Sequence, residues 1–336
     1  MICPHCAKSL LRRERTGRRC TKCRREFALE PKESPARMHD LRMRRLAEKL
    51  GDGRGLHYTP TQLWYAAARR DVPSVDRNHS AALGAACGII VLGGFICVVS
   101  GFVPVLPGIG TGVLLLIVVP LLLSFAKPWF RRRTTVRMPV TSREFRSGVL
   151  DRWAQVYGGP PSGMVAEDIP LPPVRQPRLA LLCGDRAVLA CLAANNAVGV
   201  WDMALGDRAD RLPPDVPVLV LHDAGLRGVG FGARARETLG PRAVLIGLSA
   251  KAALAARSAV RLRERPDPGA PPLPGWAAGS AAELDWLADG WWAPVAALPP
   301  AALLGVVQRG VERVWEAVDP DRLRAQEIGF LTWPNS

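Results

Sequence analysis

A chain of 336 residues with 45 Lys and Arg against 30 Asp and Glu carries a formal net charge of +15 and has room for two or three folded units. Its five histidines stand beside no plausible nucleophile, and there is no Ser-His-Asp order and no phosphate loop of the Walker type, so the common hydrolase and triphosphatase signatures are excluded. The charge is uneven: residues 1–79 hold 19 Lys and Arg against 9 Asp and Glu, residues 127–146 hold 7 against 1, and residues 147–336 hold 19 against 20.

Two Cys-x2-Cys pairs open the chain, Cys3-Pro4-His5-Cys6 and Cys20-Thr21-Lys22-Cys23, with 13 residues between them. Each pair puts two thiolates on one side of a metal, and the second pair completes a tetrahedron. One pair alone reads as a redox dithiol; two at this spacing read as a closed structural site. Residues 1–28 resemble a zinc ribbon, which implies Zn2+ held by Cys3, Cys6, Cys20 and Cys23. A closed four-cysteine site has no open position for substrate, so the metal serves to fold a segment too short to bury a core. His5 sits between two better ligands. Arg12, Arg13, Arg15, Arg18 and Arg19 line the connector, and Thr16-Gly17 can turn a short hairpin. Persistent thiolates require a reducing compartment.

Residues 36–79 form a basic helical segment. Leu41, Leu46 and Leu50 give Met38 to Leu50 the spacing of a basic amphipathic helix. Thr59 is the expected N-cap of a second helix, with Pro60 at its first position. Thr59 to Tyr65 resembles the short Thr-x-Arg-Gln-x-x-Tyr element in the winged-helix part of topoisomerase VI A-type proteins, with Thr61 where the Arg belongs. That resemblance puts Tyr65 at the nucleophile position. The plainer reading of Trp64 and Tyr65 is that they anchor a helix near an interface.

Residues 80–126 contain no Asp, Glu, Lys, Arg or His. A membrane span needs about 20 apolar residues, so two transmembrane helices are expected, Ala81 to Val103 and Ile109 to Ala126, with Pro104, Pro107 and Gly108 in the turn. Core helices normally show a polar face, and neither of these has one. Gly84 and Gly88, and Gly108 and Gly112, stand four apart, a spacing that lets helices approach closely in lipid. Cys87 and Cys97 read as buried small thiols. Basic residues flank the hairpin on both sides, which places both termini on the cytoplasmic face of a bacterial inner membrane and sets the flanks against anionic headgroups.

Residues 127–175 read as a basic juxtamembrane helix followed by a Pro-rich linker. In residues 176–264 apolar strands alternate with helices: strands at Arg178 to Cys183, Val198 to Met203, Val216 to His222 and Ala243 to Leu248, and helices at Ala187 to Ala194, Gly232 to Leu239 and Ser249 to Leu262. This alternation indicates a mostly parallel sheet covered on both faces, Toprim-like or Rossmann-like. Ligands of such sheets bind beyond the carboxyl ends of strands. Cys183-Gly184-Asp185 and His222-Asp223-Ala224-Gly225-Leu226-Arg227-Gly228 occupy two such ends. They resemble a Toprim domain, the metal-binding module of topoisomerases and primases, which carries a Glu after its first strand and Asp-x-Asp-x-x-Gly after a later one. Asp223 and Gly228 match; Gly225 stands where the second Asp belongs and Gly184 where the Glu belongs, with Asp185 adjacent. The resemblance makes Tyr65, Asp185 and Asp223 the candidate catalytic residues and implies Mg2+ only if the site is active. An Asp after a strand also simply caps the next turn. Gly228-x-Gly230-x-Gly232 has glycines like those of a dinucleotide loop, but no acidic residue ends the strand at Leu248, so nicotinamide binding is excluded.

Residues 275–336 form a helical C-terminal region, with Trp276, Trp286, Trp291 and Trp292 among apolar residues and a helix from Ala301 to Val318. The chain is therefore expected to be multidomain: a zinc ribbon, a transmembrane hairpin and a cytoplasmic α/β domain. The function this favours is a membrane-anchored, non-catalytic scaffold or sensor, with the lipid bilayer and a protein as partners. The alternative is a nucleic-acid-binding or nucleic-acid-processing protein of the Toprim or topoisomerase VI A type, for instance in defence against foreign DNA.

Overall fold

The computed structural model of the chain describes residues 1–73, 83–93, 96, 100, 110, 113–122, 125, 134–266, 269 and 273–318. After the ribbon, α1 (Asp40–Gly51) and α2 (Pro60–Ala68) pack with a third helix, α3, which runs on through Ser142–Phe145, a π segment Arg146–Asp151 and Arg152–Tyr157. Met38, Met43, Leu63, Phe145 and Val149 are fully buried in the core they share. Each start is marked by its sequence. His39 Nδ1 accepts from the backbone N–H of Arg42, and Thr59 with Gln62, like Thr141 with Glu144, forms a reciprocal capping box.

The α/β unit follows. Strand β1 (Leu179–Leu182) leads to α4 (Arg186–Ala194) and α5 (Ala197–Trp201), then to β2 (Met203–Gly206) and β3 (Val218–Val220). Next come α6 (Leu226–Leu239), β4 (Ala243–Leu245) and α7 (Ala250–Ala255). The four strands form one parallel sheet in the order β2-β1-β3-β4, as the alternating pattern led us to expect. Leu179, Leu181 and Leu219 face one hydrophobic layer, Ala180, Val218 and Val220 the other, which is why these strands read as unbroken apolar runs. A short antiparallel pair, β5 (Leu262–Arg263) with β6 (Trp291–Trp292), flanks the sheet, with α8 (Ala281–Ala288) between them in sequence. Finally α9 (Pro300–Val318) buries Leu303, Val307, Val311 and Val314 against the first layer.

Three local expectations change. Val198 to Met203 is not a strand. Asn196 adopts a left-handed conformation and starts the short α5, where Val200 is left 63 % exposed, and β2 begins only at Met203. The β-branched residues of that segment favour a strand locally, and the tertiary context overrides them. Helix α6 begins at Leu226, and α7 ends at Ala255 because the chain turns into β5.

The transmembrane hairpin is also corrected. Among the described residues no helix is long and apolar enough to cross a membrane. The described helical residues in that region are 83–93, 96, 110, 113–122 and 125, and much of the expected spans, with Pro104 and Pro107 of the turn, lies outside the described residues. The expected inner-membrane location with two spans falls with the hairpin. Lack of charge fixes the solvent preference of a segment and does not by itself set the length of the helices formed by its described residues. Of the small residues singled out there, Gly84 and Gly88 have open space where a Cβ would stand, with nothing within 4 Å, while Gly108, Gly112 and Cys97 lie outside the described residues.

Candidate functional site

Two sites emerge, one at the ribbon and one at the sheet edge. In the ribbon, the four sulfurs of Cys3, Cys6, Cys20 and Cys23 all lie within 4.8 Å of one another. The Cys3–Cys23 and Cys6–Cys20 sulfur pairs are each 3.8 Å apart. A tetrahedron with arms of about 2.3 Å has edges of roughly 3.8 Å, so the cluster has the dimensions of a four-thiolate metal site and is compatible with structural zinc.

The two Cys-x2-Cys turns are copies of one another. Ala7 donates to the Cys3 carbonyl and Arg24 to the Cys20 carbonyl, at 3.1 and 2.7 Å. Cys3 then donates to Lys8 and Cys20 to Arg25, at 2.9 and 3.1 Å. Ala7 and Arg24, each following the second cysteine of its pair, both take positive φ, 56° and 59°. Such a backbone costs a non-glycine residue about 1 kcal/mol, which a bound metal offsets. The backbone N–H of His5 donates to the Cys3 sulfur at 3.5 Å, while its ring bonds the Glu26 carbonyl at 2.8 Å. His5 therefore braces the site and does not ligate.

Behind the ribbon lies a residue that motif reading missed. Asp40 is 0 % exposed and accepts the backbone N–H groups of Ala28 at 3.0 Å and Leu29 at 2.9 Å, together with the hydroxyl of Tyr157. It ties the end of the ribbon to α1 and α3. The only signal in the sequence was a lone acidic residue at the start of a basic helix, which also reads as an ordinary helix-dipole partner.

At the sheet edge, Asp185 follows β1 and Asp223 follows β3. Because these strands are neighbours, the two acids line one cavity of about 460 Å³ at their carboxyl ends. Oδ1 of Asp185 accepts from the N–H groups of Ala187 and Val188, at 2.8 and 3.4 Å, and so caps α4. Oδ1 of Asp223 accepts from Val295 N–H at 2.7 Å. The second oxygen of each accepts no hydrogen bond among the described residues. Burial pushes both carboxyls above the usual carboxylate range; Glu167 adds to this at Asp185, and Asp185 adds to it at Asp223.

The third candidate, Tyr65, comes near these acids from far along the chain but is not among the residues lining their cavity. Gln62 donates to the Leu298 carbonyl at 3.0 Å, fixing α2 against the 3-10 turn Val295–Ala297 whose first N–H serves Asp223. Tyr65 sits on α2 within the field of both acids. Burial first, then Asp223 and Asp185, push its phenol above the ordinary tyrosine range. It is 7 % exposed and stacks on Trp64 with centroids 4.4 Å apart. Thr59 and Gln62, read from the sequence as part of a nucleophile motif, act as the capping box of this helix.

The glycines explain the rest of the loop. Gly225 has φ +148°, and a Cβ there would meet the Cβ of Trp292 at 2.4 Å, so no second acid fits at that position. A Cβ on Gly228 would meet the Asp223 carbonyl oxygen at 2.0 Å, so only glycine lets α6 start so close to the strand end. Gly184 is open by comparison, its nearest neighbour being a Phe231 ring carbon at 3.7 Å. The basic residues at the rim are engaged elsewhere: Arg186 donates to the carbonyls of Glu167 and Ile169, and Arg227 pairs with Glu264 at 3.0 Å. His222, also missed, is held by its own neighbour's backbone: its Nδ1 bonds the Asp223 carbonyl at 2.8 Å, and burial lowers its pKa.

The strain of this acidic pair is measurable. Each folded-state carboxyl pKa is raised, so the native state binds more protons than the unfolded state between the unfolded value of about 4 and the raised one, and stability falls as pH rises through that window. Asp223→Asn keeps an acceptor for Val295 and removes the charge. The variant is expected to melt higher than the parent at neutral pH and to lose part of that pH dependence, as thermal scans from pH 4 to 8 would record. An unchanged melting temperature and pH profile would contradict the raised carboxyl.

Comparison of the chain with protein-family models, with curated proteins and with solved structures finds no match.

Proposed function

We propose that this chain binds nucleic acid without cutting it: the sheet edge is a Toprim-like seat for one divalent cation, and the ribbon, closed by Zn2+, is a basic contact to the phosphate backbone. The observation that carries this reading is the meeting of Asp185 and Asp223 at the ends of adjacent parallel strands. Mg2+ dehydrates reluctantly, keeps several waters and takes one or two carboxylates beside a phosphate. Two buried acids with one free oxygen each fit that demand, and the cation would relieve the raised pKa of both. Two-metal cleavage needs more ligands than this. Among the described residues the only group of three or more ligating side chains is the cysteine cluster, and Gly225 has no room for a further acid. Tyr65 is too enclosed to attack a strand.

Retardation of supercoiled plasmid, with and without Mg2+, tests the reading. Retardation that Mg2+ strengthens, with no nicking, is expected, and Asp223→Asn is expected to lose the Mg2+ increment alone. Nicking that depends on Asp223 would overturn the non-catalytic part, and absence of retardation at low salt would overturn the whole. A second reading, a scaffold for a protein partner, is favoured by the structural use of both acids, Asp185 already accepting two backbone N–H groups and Asp223 one. Recovery of one specific protein dependent on residues 176–336 would support it.

A further inference from the structure

The basic residues of the N-terminal part have different fates. Arg15 pairs inward with Glu30 at 2.9 Å, Arg18 pairs with Glu33 at 3.0 Å, Arg42 serves the carbonyls of Ala36 and Ala67, and Arg44 reaches the Pro4 carbonyl and lies over the Tyr157 ring. Arg12, Arg13, Arg19, Lys22, Arg24 and Arg25 are exposed and belong to no ion pair of the described residues. Most of them need no explanation, because a solvated basic surface costs little. Arg25 is different. It lines, with Arg152 of α3, a polar cleft of about 390 Å³ between the ribbon and that helix, floored by Ala28 and Tyr157 and lined also by Arg18 and by one acidic residue, Glu26. Arg152 is half-buried and likewise outside any ion pair of the described residues. With Arg18 neutralised by Glu33, the guanidinium groups of Arg25 and Arg152 face a single carboxylate, Glu26, so the lining stays net positive and the low-dielectric walls focus that field outward. Planar forks of this kind match phosphate oxygens bidentately.

We propose that this cleft seats one backbone phosphate of the bound nucleic acid, gripped between Arg25 and Arg152. The assignment rests on the nucleic-acid reading above and adds its first located contact. It also gives the metal site a purpose, since the ribbon fold carries Arg25 to one wall of the cleft.

Fluorescence anisotropy of a labelled mixed-sequence duplex, titrated with the full chain across a range of salt, tests it. Arg152→Gln is expected to weaken binding and to reduce the slope of log affinity against log salt by about one, the mark of a lost phosphate contact. Arg25→Gln should do the same. The Arg25→Gln/Arg152→Gln double variant should lose little more than either alone, because both grip one phosphate. Arg152→Lys keeps the charge but not the fork, and should fall between. Arg257→Gln, an exposed arginine after α7, is the control and should leave the slope unchanged. If the parent binds and both cleft variants keep its slope, or the control falls equally, the cleft is not a contact and only this inference fails. If the parent binds no duplex, the nucleic-acid reading fails first and the cleft assignment with it. Equal competition by polyglutamate of matched charge would also overturn the assignment.

Discussion

Replacing Asp40 by alanine is expected to cost on the order of 4 kcal/mol, a large part of the stability of a small helical unit. The side chain is fully buried and accepts two backbone N–H groups and the Tyr157 hydroxyl. Removing it leaves the buried N–H groups of Ala28 and Leu29 and the half-buried Tyr157 hydroxyl without their acceptor, and each buried group so orphaned costs about 1–3 kcal/mol. Asp40→Asn offers one acceptor oxygen in place of two and should lose about half as much. Urea unfolding monitored by tryptophan emission would show the change, because Trp153 stacks on Tyr157 with centroids 4.4 Å apart. A loss below about 1 kcal/mol would mean that Asp40 is not the tie between ribbon and helices.

Metal removal is the second large effect. Structural metal sites of this size contribute on the order of 10 kcal/mol of apparent binding free energy, which is folding free energy for a segment with almost no apolar core. The buried cluster here is Cys3, Leu10 and Cys20 with Cys6 and Cys23 packed against it. Chelation, or Cys20→Ser, is therefore expected to abolish hydrogen-exchange protection at the Cys3 and Cys20 amides, whose bonds to Lys8 and Arg25 close the two turns. The Leu29 amide should stay protected, because Asp40 holds it from the helical side. Protection at Cys3 and Cys20 that survives chelation would contradict a metal-built ribbon. Loss of the Leu29 protection as well would mean that ribbon and helices fold as one unit.

Legibility in the sequence followed the range of the interactions. The ribbon was readable because its four cysteines and their spacing lie within about two dozen residues, and the parallel sheet because β1, β3 and β4 are short apolar runs followed by helical patterns. Asp185 and Asp223 were readable as strand-end acids. Their meeting was not, because strand order decides it. Tyr65 is held in their neighbourhood by α2, which Gln62 fixes to the Leu298 carbonyl, a contact 236 residues apart, which no local pattern encodes. Asp40 and Arg152 carry no motif at all; their meaning comes from what packs around them. The apolar stretch shows the opposite failure. A 47-residue lack of charge is the plainest local signal in the chain, yet among the described residues it yields no helix of spanning length.

The claim on which the functional account turns is that Asp185 and Asp223 together hold one divalent cation. Isothermal titration of Mg2+ into the zinc-loaded chain, in parallel with Asp185→Asn and Asp223→Asn, measures this directly. The account predicts one weak site in the parent, lost in either variant while both remain folded. Identical heats in all three proteins would contradict it.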